Sequence, residues 1–224
     1  YYLTDVIAMA VKAGLTVEAV QPQFAWEVDG VNDRVQLARL ERIYQQVQAE
    51  QLMRAGVTVL DPARLDIRGT VQCGEDVVLD VNTVLEGDVS LAAGVRVGPN
   101  CLIRNSRIGA GTVVEANSII DGADVGEACQ IGPFARLRPG TEMAARGKVG
   151  NFVETKKTRI GPGSKVNHLT YLGDTELGSG VNVGAGTITC NYDGVNKART
   201  EIGDNAFIGS NSSLAVSYTH LRAH

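Results

Sequence analysis

Val125 to Gly150 reads VGEACQ IGPFAR LRPGTE MAARGK VG, and an apolar side chain heads every six-residue word: Val125, Ile131, Leu137, Met143 and Val149. The rhythm runs outward in both directions. Before it come Val97-Gly98 then Ile103, and Ile108-Gly109 then Val114; after it come Ile160-Gly161, Val166, Leu172, Leu177-Gly178, Val183-Gly184, Ile202-Gly203, Ile208-Gly209 and Leu214. A step of six held over so long a stretch fits neither a helical period of 3.6 nor a strand period of 2. It fits a hexapeptide β-helix, in which each short strand turns a corner after about six residues, three strands close one coil, and the repeating apolar residue points inward. Rungs stack about 4.8 Å apart, so about eight coils, beginning near Ile67, predict a column of roughly 40 Å. Glycine beside the apolar residue is expected to relieve the corners.

The bulk properties agree with a soluble chain of many turns: 224 residues, 26 glycines, one tryptophan and 5% aromatic residues. The four cysteines, Cys73, Cys101, Cys129 and Cys190, form no CxxC pair and read as reduced thiols of a cytoplasmic protein. A net charge of -4 with no long basic run argues against nucleic acid as partner. No apolar run is long enough for membrane insertion as a spanning helix.

Outside the repeats the reading changes. Thr4-Asp5 is placed to cap a short helix with Val6, Ile7, Met9, Ala10 and Val11 on its apolar side, and Phe24–Val28 alternates like a strand. A longer helix is expected from near Asp33, with Val35, Leu37, Leu40, Ile43, Tyr44, Val47 and Leu52 as its apolar stripe and Gly56 to stop it. Such a helix suits either a connecting rod or a cap on the first coil. The expected organisation is therefore residues 1–33 as the remnant of another domain, 34–56 as a connecting helix, 57–215 as the repeat domain, and 216–224 as a tail outside the rhythm. The chain opens on Tyr1, and both this start and the tail read as the ends of a fragment, the tail as non-native sequence.

Two interruptions of the rhythm draw attention because insertions in a solenoid leave the stack as loops. One lies near Lys156 and the other spans Thr189 to Lys197, with turn residues Tyr192-Asp193-Gly194. They bracket His168, the one histidine within the repeats. Imidazole, with an ordinary pKa of about 6.5, is the common side chain best suited to accept a proton near neutral pH. Arg138, Lys156 and Lys197 add positive charge suited to a phosphorylated small molecule. A zinc-dependent carbonic anhydrase on this fold would need several histidines around the metal, and of the three in the chain only His168 lies in the repeats.

Four stretches carry a closer resemblance: Ile131–Gly140 (IGPFARLRPG), Val149–Lys157 (VGNFVETKK), His168–Asp174 (HLTYLGD) and Asn182–Lys197 (NVGAGTITCNYDGVNK). Together with the rest of Tyr1 to about Leu214 they resemble the bifunctional bacterial family that joins an N-acetylglucosamine-1-phosphate uridyltransferase to a glucosamine-1-phosphate acetyltransferase. The resemblance implies a left-handed parallel β-helix, preceded by a connecting helix and a small α/β remnant of a Rossmann-like nucleotidyltransferase domain. It implies acetyl transfer from acetyl-CoA to the amine of glucosamine-1-phosphate, and a homotrimer. In this reading His168 is the general base and Glu154 a candidate for orienting it. Arg138, Lys156, Tyr171 and Lys197 grip the sugar phosphate, Asn182, Asn191 and Tyr192 surround the sugar and acetyl group, and Ala185 and Ser210 face acetyl-CoA, the Ala185 N–H toward the oxyanion. Asn32, in Gly30–Arg34, matches a Mg²⁺ ligand of the uridyltransferase site, whose partner aspartate lies earlier in the family's chain, so it is a remnant ligand. A catalytically inactive structural remnant, or a hexapeptide acetyltransferase for another acceptor, remain the alternatives.

Overall fold

The computed structural model describes residues 2–215 and divides into two units, Tyr1–Ile43 and Tyr44–His224. The tail reading of residues 216–224 lies outside the described residues.

In the first unit, α1 spans Leu3–Lys12, and the Asp5 carboxylate accepts from the Tyr2 N–H at 3.0 Å. The expected strand at Phe24–Val28 is instead a 3₁₀ turn, Ala25–Val28. An isolated strand has no ladder to satisfy its amides, whereas the turn lets Glu27 N–H reach Phe24 O and Asp29 N–H reach Trp26 O. Phe24 and Trp26 stack with centroids 6.1 Å apart. No strand occurs among the described residues of this unit, so the β part of the expected α/β remnant is absent there, and none of those residues is buried.

Helix α2, Arg34–Arg54, crosses the boundary between the units. Its C-terminus is a Schellman turn: Gly56 has φ +97°, its N–H bonds Met53 O, and Val57 N–H bonds Leu52 O, both at 3.1 Å. Of the predicted apolar stripe, Leu52 packs partly buried against the core, but most of the stripe is not what the helix buries. Val35, Leu37 and Tyr44 are exposed, and the buried residues are Gln45 and Ala49. Gln45 behaves as a detached piece of strand, its Nε2 donating to Ile67 O at 2.8 Å and its Oε1 accepting from Ile67 N–H at 2.7 Å. The last turns of α2 thereby satisfy backbone groups that the first coil would otherwise leave open, which is the capping role.

From Thr58 the chain winds as a parallel β-solenoid. Among the described residues one face is a nine-stranded sheet, eight of whose strands follow Ile67 as the expected eight coils require; the other two faces arise from a 14-stranded sheet. Leu102–Ile108 pairs with both Ile119–Asp121 and Asp124–Val125, which places one rung on each side of a corner. Coil length follows from register: Lys148 pairs with Lys165 and Lys165 with Asn182, each 17 residues on. The inward column is continuous through Val114, Ile120, Val125, Ile131, Leu137, Met143, Val149, Thr155, Ile160, Val166 and Leu172, every one at most 3% exposed. The steps run six, six, five, with one coil of three sixes.

That column corrects the interruption expected near Lys156. Glu154–Lys156 is an ordinary strand in the stack, and the gap in the rhythm is Thr155, a polar residue in an inward slot. Its hydroxyl is satisfied by Thr141 Oγ1 at 3.0 Å, so a threonine serves where a hydrocarbon was expected. The second interruption is a true insertion, because Asn182 pairs with Phe207, 25 residues on.

The glycines also act differently from expectation. The corners are turned in the left-handed region partly by glycines that mostly do not follow the inward apolar residue, such as Gly94, Gly111, Gly163 and Gly186, and partly by Asn100, Asn117, Phe134, Phe152 and Leu169. Several glycines beside the apolar residue, though not Gly203 or Gly209, are needed for close stacking: a Cβ on Gly184 would lie 2.6 Å from Ser210 N, and one on Gly126 would lie 2.9 Å from Ala145 N. Cys101 and Cys129 are buried and free, and burial pushes the Cys73 and Cys101 thiols up to about 11.

Candidate functional site

On the first face most strands are two residues long, but two consecutive rungs extend to four, Lys148–Asn151 and Lys165–His168. They pair through to Asn151 opposite His168. Equivalent backbone bonds continue the column: Leu169 N–H to Asn151 O at 3.1 Å, Gly186 N–H to His168 O at 3.3 Å, and Asn211 N–H to Ala185 O at 2.7 Å. Ala185 therefore stands one rung beyond His168, and Ser210 one rung beyond Ala185. Asn182 lies on the same face, in the row that pairs Lys165, Asn182 and Phe207.

The His168 ring is exposed, and its Nδ1 lies 2.6 Å from Asn151 Oδ1. Glu154, expected to orient it, bonds elsewhere: its Oε1 accepts from Arg138 Nη1 at 2.8 Å, and its Oε2 is 3.9 Å from Arg136 Nη1. Asn151 was not foreseen. The signal that finds it is the coil length, since Asn151 precedes His168 by one 17-residue coil and so stands beside it.

The second face begins just after the corner that follows His168. One outward row holds Arg136, Glu154, Tyr171 and Ile188, and the next holds Arg138 and Lys156 beside Gly173. Burial pushes the Tyr171 phenol up, with Arg138 pulling against it and the carboxylates of Glu154 and Asp174 adding to it. Tyr171 therefore stays protonated at neutral pH and offers an O–H. Glu154 lies against both Arg136 and Arg138, so this trio keeps net positive charge, to which Lys156 adds.

The insertion follows from Asn191. Asn191 Nδ2 donates to Asp174 Oδ2 at 2.5 Å, which ties the loop to the corner below. Asp193 Oδ1 accepts from Asn196 N–H at 2.6 Å and Val195 N–H at 2.8 Å, and those two bonds, Asn196 first, hold its carboxyl below the usual carboxylate range. Tyr192 bridges Lys197 as an antiparallel pair, and its hydroxyl donates to Gly194 O at 2.6 Å, so here it closes its own loop. Lys197 lines a cavity of about 460 Å³ with Glu142, Lys157, Asp174 and Arg199.

The expected residues thus fall into two groups around one corner. His168, Ala185, Ser210 and Asn182 belong to the first face and its edge; Arg138, Lys156, Tyr171, Asn191, Tyr192 and Lys197 belong to the second face and its loop. The residues present do not fit a Mg²⁺ site. Asn32 is exposed with its N–H on Gln36 Oε1, and no group of three or more His, Cys, Asp or Glu that could hold a metal ion occurs among the described residues. No helix of the described residues is long and apolar enough to cross a membrane.

Residues 67–191 match the family model of the GMPPB C-terminal domain. The chain is 70% identical over 219 residues to the bifunctional protein GlmU of Alcanivorax borkumensis, covering 98% of this chain and 48% of that protein. It is 65% identical over 216 residues to the bifunctional protein GlmU of Alkalilimnicola ehrlichii, covering 96% and 47% respectively. The chain spans about half the length of the curated relatives it matches. Among solved structures, a UDP-N-acetylglucosamine acyltransferase from Francisella novicida aligns at 12% identity over 58% of this chain and 63% of that one, with a TM-score of 0.38.

Proposed function

We propose, from the premise that this chain belongs to the family of the GMPPB C-terminal domain, that it transfers the acetyl group of acetyl-CoA to the amine of glucosamine-1-phosphate. One observation carries the reading: Arg138, Lys156 and Tyr171 share the outward surface of the second face, and the corner beside it carries His168. A phosphorylated amino sugar asks for that combination, fixed cations for its phosphate and a proton acceptor for its nitrogen. The motif words and the 65–70% identity to proteins named bifunctional protein GlmU support the same assignment.

The chemistry follows from the groups. His168 accepts the proton that the amine sheds as its nitrogen attacks the thioester carbonyl. The C–N bond forms, negative charge gathers on the carbonyl oxygen, and the C–S bond then breaks to release coenzyme A. The Ala185 N–H, one rung from His168, donates to no acceptor among the described residues and suits that oxyanion. Such a donor contributes roughly 3–4 kcal/mol in acyl transfer. No acyl-enzyme is needed, since the amine is itself the nucleophile and no cysteine pairs with His168. Arg138, Lys156 and Lys197 hold the phosphate, Tyr171 donates its O–H, Asn182, Asn191 and Tyr192 bound the sugar, and Ser210 contacts acetyl-CoA. A homotrimer in the cytoplasm is part of this proposal, as is the organisation into residues 1–33, 34–56 and 57–215.

The test is thiol release from acetyl-CoA in the presence of glucosamine-1-phosphate, with His168→Ala alongside. Transfer by the chain that collapses in the variant is expected. Equal transfer by the variant would remove His168 from the chemistry, and no transfer by either would favour a catalytically inactive remnant. Faster transfer to glucosamine lacking the phosphate would favour another acceptor.

A further inference from the structure

We propose that Asn151 is a positioning residue for this reaction, holding His168 as its Nδ1–H tautomer so that Nε2 is the atom that accepts the proton; the catalytic meaning rests on the reading of His168 as general base. Three observations support it. The two residues occupy the same position on consecutive rungs, at the ends of the two first-face strands that extend to four residues. Their backbones are pinned on both sides, Asn151 O by Leu169 N–H and His168 O by Gly186 N–H, so side-chain rotation is the main freedom left. The side chains then meet with Nδ1 and Oδ1 2.6 Å apart.

An amide oxygen has no proton to give. With Oδ1 facing the ring, the bond exists only if Nδ1 carries the hydrogen, and a neutral imidazole protonated there presents its lone pair at Nε2. The corner geometry keeps the pair in register. Each residue is followed by a bulky side chain in the left-handed region, Phe152 at φ +56° and Leu169 at φ +46°. A non-glycine residue there costs about 1–2 kcal/mol, and Asn, which tolerates it best, fills this corner at Asn82, Asn100, Asn117 and Asn211. The chain accepts that cost at three consecutive rungs, at Phe134 and at the two that carry Asn151 and His168. The phenyl rings of Phe134 and Phe152 stack at 5.3 Å along the same edge and brace it. The neighbour on the other side of His168 in the column is Ala185, whose side chain cannot compete for Nδ1.

Nitrogen-15 NMR of the imidazoles reads the tautomer without turnover, with His168→Gln assigning the resonance against His220 and His224. The unmodified chain is expected to show neutral His168 protonated at Nδ1. Asn151→Leu and Asn151→Ala, which remove the acceptor, are expected to release the ring to the Nε2–H form. Asn151→Asp, which keeps an acceptor oxygen, is expected to restore the Nδ1–H form. In acetyl transfer, Asn151→Ala should lower kcat on the order of tenfold with KM nearly unchanged. An Nε2–H ring in the unmodified chain, or the same tautomer in all variants, overturns the proposal. If the tautomer follows Asn151 while His168→Ala leaves transfer intact, the positioning stands and the general-base reading is what fails.

Discussion

Val183-Gly184 and Ile208-Gly209 are both a β-branched aliphatic residue followed by glycine on adjacent rungs, paired directly through Val183 and Ile208. If glycine were there to turn the chain, alanine would be equally harmful at both. The structure predicts opposite outcomes. A Cβ on Gly184 would lie 2.6 Å from Ser210 N and 2.7 Å from Ile208 O, whereas the nearest described atom to one on Gly209 is Ser212 Oγ at 4.0 Å. Relieving the first contact requires the rungs to part by roughly 0.7 Å, against spacing that interior packing normally holds tight. That strains the bonds Gly184 N–H to Ile208 O at 2.9 Å and Asn211 N–H to Ala185 O at 2.7 Å. Overpacking costs about 1–3 kcal/mol and each weakened backbone bond about 1 kcal/mol, with about 0.5 kcal/mol returned by the stiffer unfolded chain. The net loss for Gly184→Ala is about 3 kcal/mol, or roughly 6–12 °C in Tm for a chain of this size. Gly209→Ala should gain about 0.5 kcal/mol, a rise of roughly 1–2 °C. Thermal unfolding followed by circular dichroism reads both. Equal shifts in the two variants would refute the stacking argument.

Two further outcomes follow from the same geometry. Gln45→Leu preserves side-chain volume but strands the Ile67 N–H and C=O, at about 1–3 kcal/mol for each orphaned group. Hydrogen exchange should quicken first in Leu65–Cys73, and protection there equal to the unmodified chain would show that α2 is not a cap. The Asp193 carboxyl is lower in the folded chain than its ordinary value of about 3.9, so its contribution is fully present above that value. The contribution is lost as pH falls through the lowered one. Amide exchange of Val195 and Asn196 should therefore rise only in strongly acidic solution, and a rise already at pH 5–6 would contradict the bonding described.

The recurrence of an apolar residue every six positions was enough to place a hexapeptide β-helix from the sequence, because sidedness is a property of spacing alone. The residue types of His168, Arg138, Lys156 and Lys197 likewise suggested the proposed chemistry without coordinates. What spacing could not reveal is which residues become neighbours, since that depends on where three corners fall in each coil. A buried Thr155 in an inward slot looked like an interruption because a threonine in the interior is acceptable only once Thr141 stands opposite to satisfy it. Glu154 was matched to His168 by family likeness, yet coil geometry gives it to Arg138 and gives His168 to Asn151. The helix stripe held only at Leu52, for a related reason: Gln45 is buried because it hydrogen-bonds to the edge of the first coil, and an edge exists only after the chain has wound. Sequence thus determined the sides of the column and the inventory of reactive groups. Tertiary structure alone decided the pairings, because a solenoid brings together residues a whole coil apart and the coil length is fixed by its corners.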